Sequence, residues 1–388
     1  MTKRNKQILE GSRAIALVVN NIAPAVVSAY PITPQTHIVE DLAQFKADGQ
    51  ASYEYVRAES EFAAASIVLG ASATGVRTYS ATSSQGLLLM SEVIFNIAGL
   101  RLPIVMTCAN RSISAPINIW NDHSDVMSIR DAGWIQLFAA DHQEAVNQHI
   151  LAYKLAEQLR LPVMVNVDGF ILTHSYAPVI IPDAGLIKKY LPDYSPEKGA
   201  YLDPEQPVTM GAFFTPTHYM EARSDLHEDL LESLALIKKE YQALNKILAI
   251  KSDQSSRIDN GLVEYCGPKD PETILVSLGS IAGTIREAIK DMEKIGLLKI
   301  KVYRPFPRLE LAEILAKAKN VAVIEKAVSL GQSGPLYSDI SSLGLKTEGQ
   351  IKNYIVGLGG RDVTVDMIKS IIKDAPENNA YLKFIGKI

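Results

Sequence analysis

Over the first 168 residues, short apolar runs alternate with longer stretches whose apolar positions fall at helical spacing. Runs at 26–30, 52–57, 76–82, 102–109, 135–140 and 163–167 read as strands, and the segments 11–22, 36–47, 61–75 and 142–158 read as helices. A further helix opens at Ser83-Ser84-Gln85-Gly86. The order amounts to about six βα units, which predicts an α/β fold: a parallel sheet with helices on both faces. Ligands of such sheets gather beyond the carboxyl ends of the strands. By this reading Tyr30 to Thr33, Arg57 to Glu61, Thr82 to Gln85 and Asn110-Arg111 all fall there.

The helix at 61–75 is unusual in its side chains. Ala63, Ala64, Ala65, Ser66, Gly70, Ala71, Ser72 and Ala73 surround Ile67, Val68 and Leu69, which predicts a buried helix that a backbone or a flat ligand can approach closely. Upstream, Pro31 and Pro34 flank Ile32-Thr33. Each proline fixes its own φ and biases its predecessor away from helix, so Thr33 is expected on a stiff, extended turn.

The pattern changes after residue 170. Prolines 178, 182, 192, 196, 204, 207 and 216 mark an ordered extension over about 170–220 whose Tyr and Phe content suits a protein interface. From Glu221 to Lys251, Leu226, Leu230, Leu231, Leu234, Ile237, Tyr241, Leu244, Ile247 and Leu248 recur at helical spacing, as in an amphipathic connector. Beyond a polar gap at 251–260, strands at 274–278, 300–303, 321–325 and 351–356 predict a smaller α/β domain. The expected division is therefore 1–225, a connector at 226–265, and 266–388.

Composition narrows the function classes. A net charge of -4 and the lack of basic runs argue against nucleic acid as a partner. The two cysteines, Cys108 and Cys266, are too few for a disulfide framework, a zinc site or a cysteine-ligated cluster, so any cluster must sit on another chain. No apolar run is long enough to span a bilayer and Met1 to Glu10 lacks a signal core, which makes cytoplasmic the expected location.

Several candidates have plainer uses. Glu59 and Glu61 suit a helix start on dipole grounds alone, and Arg57 could simply pair with either. Arg111, at a strand's carboxyl end, is placed to clamp a carboxylate. Asn118, Asn121, Asp122, His123 and Asp125 match no metal motif and read as a solvated loop or subunit contact. The glycines of Leu278 to Thr284 suit tight packing of helix on sheet, and those of Gly357 to Asp362 suit a turn or interface loop.

Taken together, Ala29 to Pro34, Glu59-Ser60-Glu61, Ala81 to Leu87, Asn110-Arg111, Val302 to Pro307 and Gly357 to Asp362 resemble the alpha subunit of the 2-oxoacid:ferredoxin oxidoreductase family, most like its pyruvate-specific members. The resemblance implies a pyrimidine-binding thiamine diphosphate domain followed by a transketolase C-terminal-like domain. It also implies oxidative decarboxylation of pyruvate to acetyl-CoA and CO2, reversibly, with electrons passed to ferredoxin. In this family a beta subunit with a Gly-Asp-Gly motif holds the diphosphate and Mg2+, while gamma and delta parts supply coenzyme A handling and iron–sulfur clusters. Here Val167-Asp168-Gly169 lacks the first glycine of that motif.

The resemblance assigns roles by position. Glu61 aligns with the glutamate that hydrogen-bonds N1′ of the aminopyrimidine, stabilising the imino tautomer whose 4′-nitrogen takes the thiazolium proton. Thr33 and Arg111 align with the groups that receive the substrate carboxylate and oxo group. Tyr30, Pro31, Ile32, Ser83, Ser84 and Gln85 are expected to border the cofactor. Gln35-Thr36-His37 departs from the Ser-Thr commoner in the family after the prolines. Other readings are a branched-chain 2-oxoacid enzyme, the beta chain of a lipoate-linked 2-oxoacid dehydrogenase, and a noncatalytic scaffold of the same fold.

Overall fold

The computed structural model describes residues 6–250, 256–345, 351–377 and 380–387. The start of the charged N-terminus and the first half of the polar gap, 251–255, lie outside the described residues. In chain order the first part holds β1 (Gln7–Glu10), α1 (Gly11–Ile22), β2 (Val26–Ala29), α2 (Thr36–Ala47), β3 (Glu54–Arg57), α3 (Glu61–Ala73) and β4 (Thr78–Thr82). It continues with α4 (Ser84–Leu89), α5 (Ser91–Gly99), β5 (Val105–Asn110), α6 (Ser124–Ser128), β6 (Ile135–Phe138), α7 (His142–Leu159) and β7 (Val163–Asp168). Then come β8 (Tyr176–Val179), α8 (Ala184–Tyr190) and the long α9 (Pro216–Leu248).

Six strands pair in parallel in the order β6-β7-β5-β4-β2-β3. The chain steps one way from β2 to β3 and back past β2 to β4. Right-handed crossovers therefore send α2 to one face and α3 to the other, which agrees with the packing of α1 on α2 and α7, and of α3 on α4 and α5. The reversal also makes a switch point between β2 and β4, where a crevice opens. These two strands pair only through Val26–Thr78 and Val27–Tyr79 and part beyond them. The buried Gln35 side chain bridges the gap, donating to the Tyr30 and Ala81 carbonyls at 3.0 and 2.8 Å.

The second part holds β9 (Ser256–Asp259), β10 (Val263–Cys266), β11 (Thr273–Leu278), α10 (Ile281–Ile289), β12 (Ile295–Ile300), β13 (Val302–Arg304), α11 (Arg308–Leu315) and β14 (Asn320–Glu325). It ends with α12 (Pro335–Ser341), β15 (Ile351–Ile355), α13 (Val365–Asp374) and β16 (Leu382–Phe384). Its sheet runs β16-β15-β14-β11-β12-β10-β9, parallel as far as β12 and antiparallel beyond.

Several elements differ from the sequence reading. The expected strand at 300–303 breaks at Lys301: β12 stays in the second sheet, while β13 crosses over and pairs antiparallel with β6 of the first. The extension is not featureless, because β8 pairs with β1, an N-terminal strand the charged sequence does not suggest. Helix α9 starts at Pro216, earlier than its apolar stripe, since proline is favoured in a first helical turn. Helix α3 buries Glu61, Ala64, Ala65, Val68 and Ser72, one face at i, i+3, i+4 spacing, rather than its whole surface. Among the described residues no helix is long and apolar enough to cross a membrane.

Candidate active site

The carboxyl ends of β2, β3, β4 and β5 carry Tyr30 to Pro34, Ala58 to Glu61, Ser83 to Gln85 and Arg111. Glu61 is the first residue of α3. Ser60 caps that helix, its hydroxyl accepting from the Ala63 N–H at 3.1 Å, and so sets where the Glu61 side chain leaves. The Glu61 side chain is buried, 8% exposed, and its carboxyl has no hydrogen-bond or ion-pair partner among the described residues. Its neighbour is Gly86. A Cβ there would lie 2.8 Å from both Cγ and Oε1 of Glu61 and 2.6 Å from Thr82 Oγ1, so only glycine leaves room for the carboxylate. Thr82 Oγ1, Ser83 Oγ and Gln85 Nε2 are buried, with no partner among the described residues. Polar atoms left this way are costly unless a ligand meets them. Glu59, by contrast, is exposed, and Arg57 pairs with neither glutamate.

Arg111 is brought to the proline turn. Its Nη1 donates to the Thr33 carbonyl at 2.9 Å and its Nε to the Asn118 carbonyl at 3.0 Å, leaving Nη2 without a partner among the described residues. Burial lowers the guanidinium pKa from its usual value, with Asp125 working the other way. Thr33 is exposed, Ile32 half-buried, and Tyr30 and Pro31 exposed. Gly169 lets this turn close on β5, because a Cβ there would sit 2.6 Å from Pro34 Cγ and 2.5 Å from the Asn110 carbonyl oxygen.

The polar segment 118–125 is not a solvated loop. Asn121, Asp122, His123 and Asp125 are buried, and Asp125 is the residue that joins the site's two halves. Its Oδ2 accepts from the backbone N–H groups of Ser84 and Arg111, both at 3.0 Å, and its Oδ1 from Asn110 Nδ2 at 3.2 Å. Burial raises its pKa to about 6, against the N–H groups of Arg111, Ser84 and Val126. Ser84 itself has a φ of 46° and donates through Oγ to the Ser112 carbonyl at 2.6 Å. Pattern reading missed Asp125 and Gln35 because their partners lie far along the chain.

Beside this, Asp168 at the end of β7 accepts from His123 Nε2 at 2.7 Å, Lys326 Nζ at 2.9 Å and the Ser280 N–H at 3.1 Å. Burial pushes its pKa up, but Lys326, His123 and Ser280 together hold it well below the carboxylate range. The turn at 278–284 thus delivers Ser280 to the first sheet. The glycine loop at 357–360 docks here as well: Gly360 N–H donates to the Asn121 carbonyl at 2.6 Å and Gly359 N–H to Asp122 Oδ2 at 3.1 Å. It acts as an interface loop. Between the two parts lies a cavity of about 410 Å³ lined by Trp120, Phe170, Ser280, Lys326, Gly360 and Arg361 among others.

Comparison with known proteins bears on this arrangement. A family model described as pyruvate flavodoxin/ferredoxin oxidoreductase, thiamine diphosphate-binding, matches residues 18–242, and one for the pyruvate:ferredoxin oxidoreductase core domain II matches 271–368. The pyruvate synthase subunit PorA of Methanocaldococcus jannaschii is 46% identical over 373 residues, 94% of this chain and 94% of that protein. PorA of Thermotoga maritima is 41% identical over 377 residues, 95% of this chain and 94% of that protein. The ketoisovalerate oxidoreductase subunit VorA of Pyrococcus horikoshii is 38% identical over 380 residues, 95% of this chain and 93% of that protein. A solved 2-oxoglutarate:ferredoxin oxidoreductase from Magnetococcus marinus, with 2-oxoglutarate, coenzyme A and succinyl-CoA bound, is similar in fold, with a TM-score of 0.72 at 21% identity. That match covers 96% of this chain and 66% of the other, so the present chain spans just under two thirds of it.

Proposed function

The chain belongs to the pyruvate:ferredoxin oxidoreductase family, and we propose that it is the pyruvate synthase subunit that binds the aminopyrimidine of thiamine diphosphate and the carboxylate of pyruvate. The observation that carries the reading is the Glu61 carboxyl, partnerless among the described residues, on a residue only 8% exposed and fitted against Gly86. A carboxyl so held fits a ring nitrogen, and the buried hydroxyls of Thr82 and Ser83 and the Gln85 amide fit the polar edge of a flat cofactor. When bound, thiamine diphosphate supplies a nucleophilic carbon for the 2-oxo group and a sink for the electrons left when CO2 departs.

The chain's own residues do the rest. Glu61 shares a proton with N1′ and so sets the protonation of the opposite amino group. The free Nη2 of Arg111 and the exposed Thr33 hydroxyl receive the substrate carboxylate and oxo oxygen. Tyr30, Pro31 and Ile32 form one wall, with Ser83, Ser84 and Gln85 opposite. Asp125, acting through the backbone of Ser84 and Arg111, keeps the two walls in register. The pyrimidine unit extends to the start of α9 (Pro216–Leu248), that helix is the connector, and the transketolase C-terminal-like unit opens with β9 at Ser256, ahead of the boundary expected at 266.

The remaining parts come from partners in a multisubunit, cytoplasmic complex. A beta subunit holds the diphosphate and Mg2+, and gamma and delta subunits carry iron–sulfur clusters and serve coenzyme A and ferredoxin. Support for this division is that the chain has only two cysteines and no glycine ahead of Asp168-Gly169. A branched-chain acid is the second reading, favoured by the 38% identity to VorA and weighed against 46% to PorA.

The test is dye reduction by the intact complex, isolated without oxygen, with coenzyme A and pyruvate, 2-oxoisovalerate or 2-oxoglutarate. Pyruvate is expected to be preferred, and Glu61→Gln to abolish turnover while the subunits still assemble. Normal turnover in that variant would remove Glu61 from the chemistry, and preference for 2-oxoisovalerate would replace the substrate.

A further inference from the structure

Outside this site, Glu10, His37 and His174 converge from the end of β1, the first turn of α2 and the loop after β7. One carboxylate oxygen and one nitrogen of each imidazole all lie within 4.8 Å of one another. His37 Nδ1 is 2.7 Å from Glu10 Oε1, and the two imidazole rings are 4.5 Å apart between centroids. His174 is oriented from behind: its Nδ1 is 2.7 Å from Thr173 Oγ1, which is itself held at 2.8 Å by the Phe170 N–H. The Nε2 atoms of both histidines have no hydrogen-bond partner among the described residues.

The backbones carrying the three groups are tied together. Ser12 donates to the Thr173 carbonyl through both N–H and Oγ at 2.9 Å, and the Gly11 N–H donates to Ser175 at 3.2 Å. Glu10 also pairs with Tyr176 in the β1–β8 ladder. So the cluster is built on paired backbone rather than on loose side chains. Two imidazoles and one carboxylate are the donor set of a borderline cation, with a fourth position open to water. Metal–ligand bonds of about 2.0–2.2 Å set tetrahedral ligand atoms about 3.3–3.6 Å apart. The Glu10–His37 contact need open by less than about 1 Å, and His174 close by at most about 1.5 Å, to reach that spacing.

We propose that Glu10, His37 and His174 form a site for one zinc-class divalent cation, which clips the N-terminal strand to the start of α2 and to the loop after β7. Binding replaces the Glu10–His37 hydrogen bond, the imidazole N–H moving to Nε2 as Nδ1 takes the cation, and leaves the carboxylate and the neutral imidazoles as ligands. The clip lies three residues beyond Pro34, and so stiffens the proline turn from its far side.

The experiment is equilibrium dialysis of the intact complex against zinc chloride in excess Mg2+, with the bound zinc counted by mass spectrometry. Wild type is expected to hold one more zinc per chain than His37→Ala, and Glu10→Gln to bind it at least about tenfold more weakly. His37 is half exposed, so its loss leaves the fold intact. Zinc should also raise the unfolding midpoint of wild type and not that of His37→Ala. Equal zinc counts in wild type and a His37→Ala/His174→Ala double variant would overturn the proposal.

Discussion

Three charged side chains meet at the strand ends, and each is held differently. Glu61 is gripped by shape, Arg111 by two carbonyls, and Asp125 by backbone N–H groups. Arg111→Ala removes the strut to Thr33 together with the proposed substrate clamp, and is expected to raise the pyruvate KM and lower kcat/KM by at least about tenfold, since one charge-assisted hydrogen bond is worth roughly 1.5–3 kcal/mol. Arg111→Lys should fail to restore it, because an ammonium cannot reach two carbonyls and a carboxylate in one plane. An unchanged KM in either variant would separate Arg111 from the substrate. Asp125 brings a pH dependence with a definite sign. Its pKa rises from 3.8 to about 6 on folding, so the folded state holds the proton more tightly. The stability it contributes is full below pH 3.8, falls as pH rises toward about 6 and is gone above, a change of at most about 3 kcal/mol. The wild-type unfolding midpoint relative to Asp125→Asn should therefore fall between pH 4 and 6 and level off, and a flat difference would refute it.

At the scale of elements, Gly86 shows how a helix start serves a neighbouring helix. It lies in the first turn of α4 and faces the first residue of α3, so that Glu61 fits only while Gly86 carries no side chain. Gly86→Ala is expected to displace the carboxyl and lose activity nearly as fully as Glu61→Gln, at a stability cost of about 1–3 kcal/mol from overpacking. Retention of more than about half the wild-type kcat would show that the carboxyl has room to move. The βα alternation was legible in the sequence because each unit is built from contacts within a few dozen residues. Glu61, Thr33 and Arg111 were singled out instead by the likeness of their motifs to a known family, because position alone left each of them a plainer use. Strands β1 and β8 could not be read, nor could the sheet that β13 joins, since each pairs with a partner far along the chain, Gln7 beside Val179 being the extreme case. Asp125 and Gln35 were hidden likewise, as their side chains bond backbone of other elements, the start of α4 and β4.

At the scale of the whole molecule, a buried charged seam joins the two parts. Where β12 gives way to β13, Lys299 and Lys301 reach Glu144 of α7 at 3.2 and 3.3 Å, while Glu264 and Asp259 of the second part hold the same two lysines at 2.6 and 2.8 Å. Nearer the site, Lys326 from the end of β14 reaches Asp168 and Asn121, while its own carbonyl accepts from the His123 N–H at 2.8 Å. The second part therefore holds the 118–125 segment by both backbone and side chain, and that segment in turn holds Arg111. Removing one member of a buried pair strands the other charge and costs about 3–5 kcal/mol, whereas neutralising both is far milder. Lys326→Met is thus expected to lower the unfolding midpoint sharply and to raise the pyruvate KM, because the Asn121 side-chain oxygen loses its lysine donor. Lys326→Met/Asp168→Asn should recover more than half of the lost stability yet leave the KM raised, since the lysine–Asn121 bond is still missing. If the two substitutions instead add independently in stability, Asp168 and Lys326 are not coupled and the seam is held by its other contacts, β13 on β6 and the glycine loop among them. If the KM recovers together with the stability, the seam supports the fold without steering the substrate turn.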